Sequence, residues 1–229
     1  MTPELIVALD VDSLDKALHL RDELFDVVDF FKVGKELFTA VGPRVLAELS
    51  GARVFLDLKF HDIPNTVAGA TAVAARHGVR ILDVHTSGGR AMMEAAANAA
   101  RSADAPPSVF GVTVLTHLGD AELAELGVVD RSAEQVLRLA RLAHASGLDG
   151  VVASPLEIAT IRLEVPSLDV LVPGVRPKWA AASHDQKRVA TPQEVARAGA
   201  RYVVVGRPIT QHQAPRDAAK RIQDELASG

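Results

Sequence analysis

The 229-residue chain contains no cysteine. That absence removes disulfide scaffolds, thiolate metal sites, iron–sulfur clusters and cysteine nucleophiles together. Basic charge is not in excess: 25 lysines and arginines face 29 aspartates and glutamates, a formal net charge of −4. Nucleic-acid binding by bulk electrostatics needs a basic face, so no nucleic-acid partner is expected. No apolar run approaches the roughly 18 residues of a membrane span. From Met1 to Asp10 there is no basic stretch, and the apolar run Leu5 to Leu9 is too short for a secretory signal. Low-complexity linkers, long charge runs and a midpoint shift in composition are also missing, which predicts one domain over residues 1–229. A soluble, cytoplasmic protein with ample length for a sizeable core is expected.

What the chain does have is a rhythm. Short β-branched runs recur at 5–10, 27–33, 53–59, 79–85, 108–116, 150–154, 169–173 and 201–206. Segments with helical spacing separate most of them. Leu14, Ala17, Leu18 and Phe25 share one helical face, as do Val136, Leu139, Ala140 and Ala143, and again Ala218, Ile222 and Leu226. Thr191-Pro192-Gln193-Glu194 reads as a helix start, with a threonine N-cap, proline at N1 and a glutamate closing a capping box. The long interval between the fifth and sixth strands places an extra helical turn or loop at Gly119 to Val129. Regular β–α alternation means a parallel sheet. Eight such units predict a closed (β/α)8 barrel, the TIM barrel. The competing open doubly wound sheet normally carries a Gly-rich turn after its first strand, where this chain has Asp10-Val11-Asp12-Ser13.

Polar residues gather at the carboxyl ends of these strands, where barrels place their catalytic groups. On the third strand, alternation sets Phe55, Asp57 and Lys59 on one face and Val54, Leu56 and Leu58 on the other. The apolar face must meet helices, which aims Asp57 and Lys59 into the barrel mouth. The same parity points Asp10 and Lys32 inward. Four charges in one small volume could be a structural ion-pair network. Buried ion pairs are poor stabilisers for their desolvation cost, so chemistry is the favoured reading. Pro173-Gly174-Val175-Arg176-Pro177 and Gly206-Arg207-Pro208 follow the last two strands, where barrels commonly bind phosphate. Lys178 to Arg188 is long and polar for a βα connection, and reads as a lid or as a surface loop. Asp83, His85 and His61 could form part of a divalent site, but parity gathers no third ligand convincingly, and no metal is predicted.

The segment from Asp57 to Thr66, DLKFHDIPNT, resembles the active-site signature of the orotidine 5′-phosphate decarboxylase family. The resemblance extends along the chain through ALDVD, FKVGKELF, VHTSGG, TVLTH, VPGVRP, DQKRVATP and VVVGRPIT. The D-x-K-x-x-D core alone is shared with metal-dependent sugar-phosphate lyases and decarboxylases, which form the alternative; the DIPNT extension and the DQ-x-R segment are more specific. A non-catalytic phosphate-binding barrel is the remaining possibility. The resemblance implies conversion of orotidine 5′-phosphate to UMP and CO2, the last step of de novo pyrimidine synthesis, with no cofactor. It makes Lys59 the proton donor to C6 and sets Asp57 beside the substrate carboxylate. It implies a homodimer in which Asp62, contributed by the other subunit, completes an array with Lys32, Asp57 and Lys59, and Ile63 and Thr66 reach the neighbour's ligand. Asp10 and Lys32 would hold ribose hydroxyls and Thr116 the pyrimidine. Gln186, Arg176, Gly206 and Arg207 would serve the phosphate.

Overall fold

The eight β-branched runs become eight strands because each is flanked by glycine, proline or a polar cap that ends it and returns the chain. A computed structural model describes residues 2–180 and 190–229. Its strands are β1 (Glu4–Ala8), β2 (Phe30–Gly34), β3 (Arg53–Phe60), β4 (Ile81–His85), β5 (Ser108–Val112), β6 (Gly150–Val152), β7 (Asp169–Val172) and β8 (Tyr202–Val205). They pair in parallel, in sequence order, and β1 closes on β8 from Glu4–Tyr202 to Val7–Val205. The helices are α1 (Leu14–Leu24), α2 (Lys35–Val41), α3 (Arg44–Glu48), α4 (Pro64–Arg76), α5 (Arg90–Arg101), α6 (Asp120–Glu125), α7 (Ser132–Ala145), α8 (Ile158–Glu164), α9 (Pro192–Ala198), α10 (Arg207–Thr210) and α11 (Pro215–Ala227). The expected barrel is the observed one, and none of the described helices is long and apolar enough to cross a membrane.

Strand alternation divides the apolar residues between two cores. Ile6, Ala8, Phe30, Phe55, Ile81, Phe110, Val152, Leu171, Tyr202 and Val204 fill the barrel interior. Val7, Leu9, Phe31, Val33, Val54, Leu56, Leu82 and Val84 point outward into the layer shared with the helices. At the amino-terminal end of the strands, Arg53 pairs with Glu4 and Asp29 and lies over the Phe30 ring, while Arg201 pairs with Glu4 and lies over Tyr202. This closed end is a stability feature, and chemistry is left to the other rim.

The helical faces of α7 and α11 are buried as their spacing predicts. The Thr191 hydroxyl accepts from the Glu194 N–H (3.3 Å), and the Glu194 carboxylate accepts from the Thr191 N–H (2.8 Å), completing the capping box. Helix α6 occupies the long interval after β5. Two expectations need correction. Phe25 is exposed, and α1 buries Ala17, Leu20 and Leu24 instead, because the helix ends at Leu24 before Phe25 can join that face. The second strand begins at Phe30 and not at 27, since the Val27 and Val28 N–H groups donate to the Leu24 carbonyl in the closing turn of α1.

Gly150 marks a point where backbone and core meet. A Cβ there would press on the Phe110 ring and the Asp169 carbonyl oxygen. Overpacking of this kind costs about 1–3 kcal/mol. Gly150→Ala should therefore lower the melting temperature by about 2–4 °C per kcal/mol lost, read by calorimetry. An unchanged melting temperature would show that the barrel floor yields freely there.

Candidate active site

At the carboxyl rim, three neighbouring strands deliver alternating charges. Lys32 Nζ lies 2.7 Å from Asp10 Oδ1 and 3.2 Å from Asp57 Oδ2, and Lys59 Nζ contacts Asp57 Oδ1. The order is Asp10, Lys32, Asp57, Lys59. Lys32 is 8 % exposed, so its ammonium is sustained by its partners rather than by water. Burial alone would lower the Lys32 pKa, but Asp57 and Asp10 outweigh it and raise it. Burial would raise the Asp57 carboxyl, but Lys32 and Lys59 hold it below the ordinary carboxylate range. The inner charges are thereby fixed on. Gly34 leaves their seat open: a Cβ there would stand 2.8 Å from Lys32 Nζ and 3.0 Å from Asp10 Oδ1.

Local backbone geometry departs from a regular strand at Lys59. Between the Leu56–Leu82 and Phe60–Val84 pairings, four steps on β3 match two on β4. Lys59 sits at φ +52°, the one non-glycine residue in the left-handed region among the described residues. Such a conformation costs about 1–3 kcal/mol and persists only where its surroundings enforce it. Here the Lys59 N–H donates to Asp83 Oδ1 at 2.8 Å. Asp83 is 1 % exposed, and its Oδ2 lies 3.8 Å from Lys59 Nζ. Burial, then the Asp57 charge, pushes the Asp83 carboxyl well above its usual range, against the pull of Lys59. The sequence offers Asp83 only as part of a possible divalent site and does not show its bond to the Lys59 peptide. The available signal was an acid at an inward position of an apolar strand.

Two cavities meet over the array. The smaller, about 150 Å³, takes Lys59, Asp83, Leu115 and Thr116 into its lining; the larger, about 560 Å³, takes Asp10, Arg176, Gly206, Arg207, Trp179 and His212. Both are lined by Lys32, Asp57, Pro173 and Val204, so one elongated ligand can span them. Arg176 is held by its N–H, which donates to the Ala190 carbonyl (2.9 Å), beside an isolated parallel bridge between Val175 and Ala190. Trp179 donates from Nε1 to Glu225 (2.7 Å), under the Arg221 guanidinium. Trp179, His212 and Gly34 carried no sequence-level signal beyond position. Asp62, Ile63 and Thr66 are exposed at the end of β3 and the start of α4, and line neither cavity of this chain. Asp62 Oδ1 accepts from the Ile63 N–H at 2.6 Å. Gln186 lies outside the described residues.

The His61 and His85 rings lie 5.3 Å apart beside the array. Among the described residues, no group of three or more His, Asp or Glu side chains is placed to hold a metal ion. Burial, then the neighbouring His61, Lys59 and Lys35, lowers the His85 pKa to about 4. An unfolded histidine protonates near 6.5, so between those values the unfolded chain takes up a proton that the native state refuses. Stability should therefore fall as pH drops from 6.5 to 4, and His85→Gln should flatten that fall in urea unfolding at pH 7, 5.5 and 4.5. Parallel curves for the two proteins would remove His85 from the cause.

Comparison with known proteins agrees with this geometry. Residues 3–222 match the model of the orotidine 5′-phosphate decarboxylase / HUMPS family. The chain is 48% identical to orotidine 5′-phosphate decarboxylase of Alcanivorax borkumensis, with 97% of each chain covered. It is 44% identical to the enzyme of that name from Saccharophagus degradans, covering 98% of this chain and 95% of that one. Among solved structures, orotidine 5′-phosphate decarboxylase from Lactobacillus acidophilus aligns with a TM-score of 0.87 at 36% identity, covering 98% and 99%. The Methanocaldococcus jannaschii enzyme complexed with the inhibitor BMP aligns at 0.80 and 26% identity, covering 99% of both chains. The chain belongs to the orotidine 5′-phosphate decarboxylase / HUMPS family.

Proposed function

We propose that this protein decarboxylates orotidine 5′-phosphate to UMP and CO2 in pyrimidine biosynthesis, as a cytoplasmic enzyme that uses no cofactor or metal. The observation that carries the reading is the partly buried Lys32–Asp57–Lys59 chain spanning the junction of the two cavities. The smaller cavity suits a pyrimidine and the larger a ribose phosphate. Thr116 lies where it can meet the base, and Asp10 and Lys32 where they can hold ribose hydroxyls. Arg176, Arg207 and the Gly206 backbone supply the local positive site that an acidic protein needs for a phosphate ester. Gln186 is assigned to the phosphate by family resemblance.

The chemistry follows from charge placement. Breaking the bond from C6 to the carboxylate leaves an electron pair at C6 and releases CO2. That pair lies in an sp² orbital the ring delocalises poorly, so fixed charges must stabilise it. The Lys59 ammonium does so and then gives C6 its proton, to be replaced from solvent. Asp57, kept anionic by two lysines, sits beside the departing carboxylate and disfavours the ground state. Lys32 keeps Asp57 charged and in place. Phosphate binding far from C6 contributes energy that can be used to desolvate this array.

Asp62, Ile63 and Thr66 are assigned to the active site of a second subunit. Their exposure supports this, with Ile63 66% exposed although it is a large apolar residue. The active unit is then a homodimer with two shared sites, each protomer a single domain over residues 1–229. The sugar-phosphate lyase alternative is not favoured, since relatives covering nearly the whole chain carry the decarboxylase name.

Purified protein should convert orotidine 5′-phosphate to UMP after EDTA treatment, followed by loss of orotate absorbance. Lys59→Ala should lower kcat by at least ~100-fold while UMP still binds, because general acid catalysis alone is worth about 10²–10⁴-fold. Unchanged turnover would refute the role of Lys59. Mixing equal amounts of Lys59→Ala and Asp62→Ala subunits should restore roughly a quarter of wild-type specific activity, since half the dimers are mixed and each has one intact site. No recovery, with subunit exchange confirmed by mass spectrometry, would contradict the shared site.

A further inference from the structure

Lys59 poses a problem that the array does not solve. An ammonium at the end of four rotatable carbons must reach one ring carbon, and a misplacement of about 1 Å costs on the order of 100-fold in rate. Its backbone also lies outside the strand pairing, as does that of Leu58. Lys59 has no paired residue on either β2 or β4, because the last β2–β3 pair is Gly34–Asp57 and the β3–β4 register resumes only at Phe60. Lys59 nevertheless holds the left-handed conformation.

We propose that Asp83 is a positioning residue for Lys59, its carboxyl oxygen anchoring the left-handed peptide from which the ammonium reaches the ring side of the array. This rests on the decarboxylase reading given above. Asp83 Oδ1 takes the Lys59 N–H at 2.8 Å, replacing the missing ladder bond. Asp83 Oδ2 is buried and lies 3.8 Å from Lys59 Nζ, and the carboxyl is also in side-chain contact with Asp57. That distance is too long for a hydrogen bond, so the peptide contact carries the placement. The carboxyl also sits on a rigid support. Asp83 is flanked at inward positions by Ile81 and His85 and pairs in register with Phe110 on β5. Its burial raises its pKa, so it burdens the fold, as expected of a group kept for placement and not for stability.

The test separates placement from folding. Asp83→Asn keeps an oxygen for the Lys59 N–H and the same shape, whereas Asp83→Ala removes both contacts. Asp83→Ala should lose about 100-fold in kcat, Asp83→Asn no more than about tenfold, and both should bind UMP within about threefold of wild type. If Asp83→Ala does not fold, Asp83→Val serves in its place. Three results would each overturn the proposal. They are an alanine variant with wild-type kcat, an asparagine variant as slow as alanine, and UMP affinity falling in step with kcat. A crystal structure of the alanine variant gives a reading independent of activity. Lys59 should leave the left-handed region there, and retention of φ near +52° with the Asp57 contact intact would also overturn it. A wild-type protein inactive on orotidine 5′-phosphate would instead reject the decarboxylase reading, leaving the structural outcome to decide the role of Asp83.

Discussion

The site depends on keeping Asp57 ionised between two lysines inside a protein rim. Separately, each of these charges would be expelled by desolvation or neutralised by a proton. Together they fix one another, with Asp10 at the solvent end and Lys59 at the cavity end. The rest of the rim serves that arrangement. Gly34 supplies space, the β3 distortion brings Lys59 round beside Asp57, and β4 presents Asp83 from the far side. A regular strand at residue 59 would have continued the hydrogen-bond ladder there.

The two ends of the barrel divide their work. At the amino-terminal end, Arg53, Glu4, Asp29 and Arg201 form partly exposed pairs whose stems cover the Phe30 and Tyr202 rings. These charges stay near water and cost little to keep. At the carboxyl end the charges are drawn inward, where each costs more and does more. The same residue types therefore serve stability at one end and polarise a cavity at the other.

Much of this was legible because alternation is a local property. The inward facing of Asp57 and Lys32 needs only period two and apolar neighbours that must meet helices, and the barrel follows from eight such units. Lys59 faced the expected way for a reason alternation does not contain: its backbone turns left-handed and the ladder skips it. The Asp83 bond to that peptide is invisible to pattern, since it joins residues 24 apart through a distortion. Phe25 misled because helical spacing says which residues align but not where the helix stops. The exposed trio Asp62, Ile63 and Thr66 had no intramolecular reading at all. Only family resemblance supplied a place for them.

Closure of β1 on β8 has a consequence for how the chain is made. Val7 and Val205 are paired neighbours in space, yet nearly the whole polypeptide lies between them. During synthesis, β1 and β7 remain open edges until the eighth strand leaves the ribosome, and open edges invite intermolecular pairing. The acidic and basic groups of the array all lie on or just past the first three strands, whereas the two arginine turns come last. A nascent chain can thus bring its charged half together well before the two arginines that line the larger cavity emerge, and a late-emerging strand completes both the ring and the pocket.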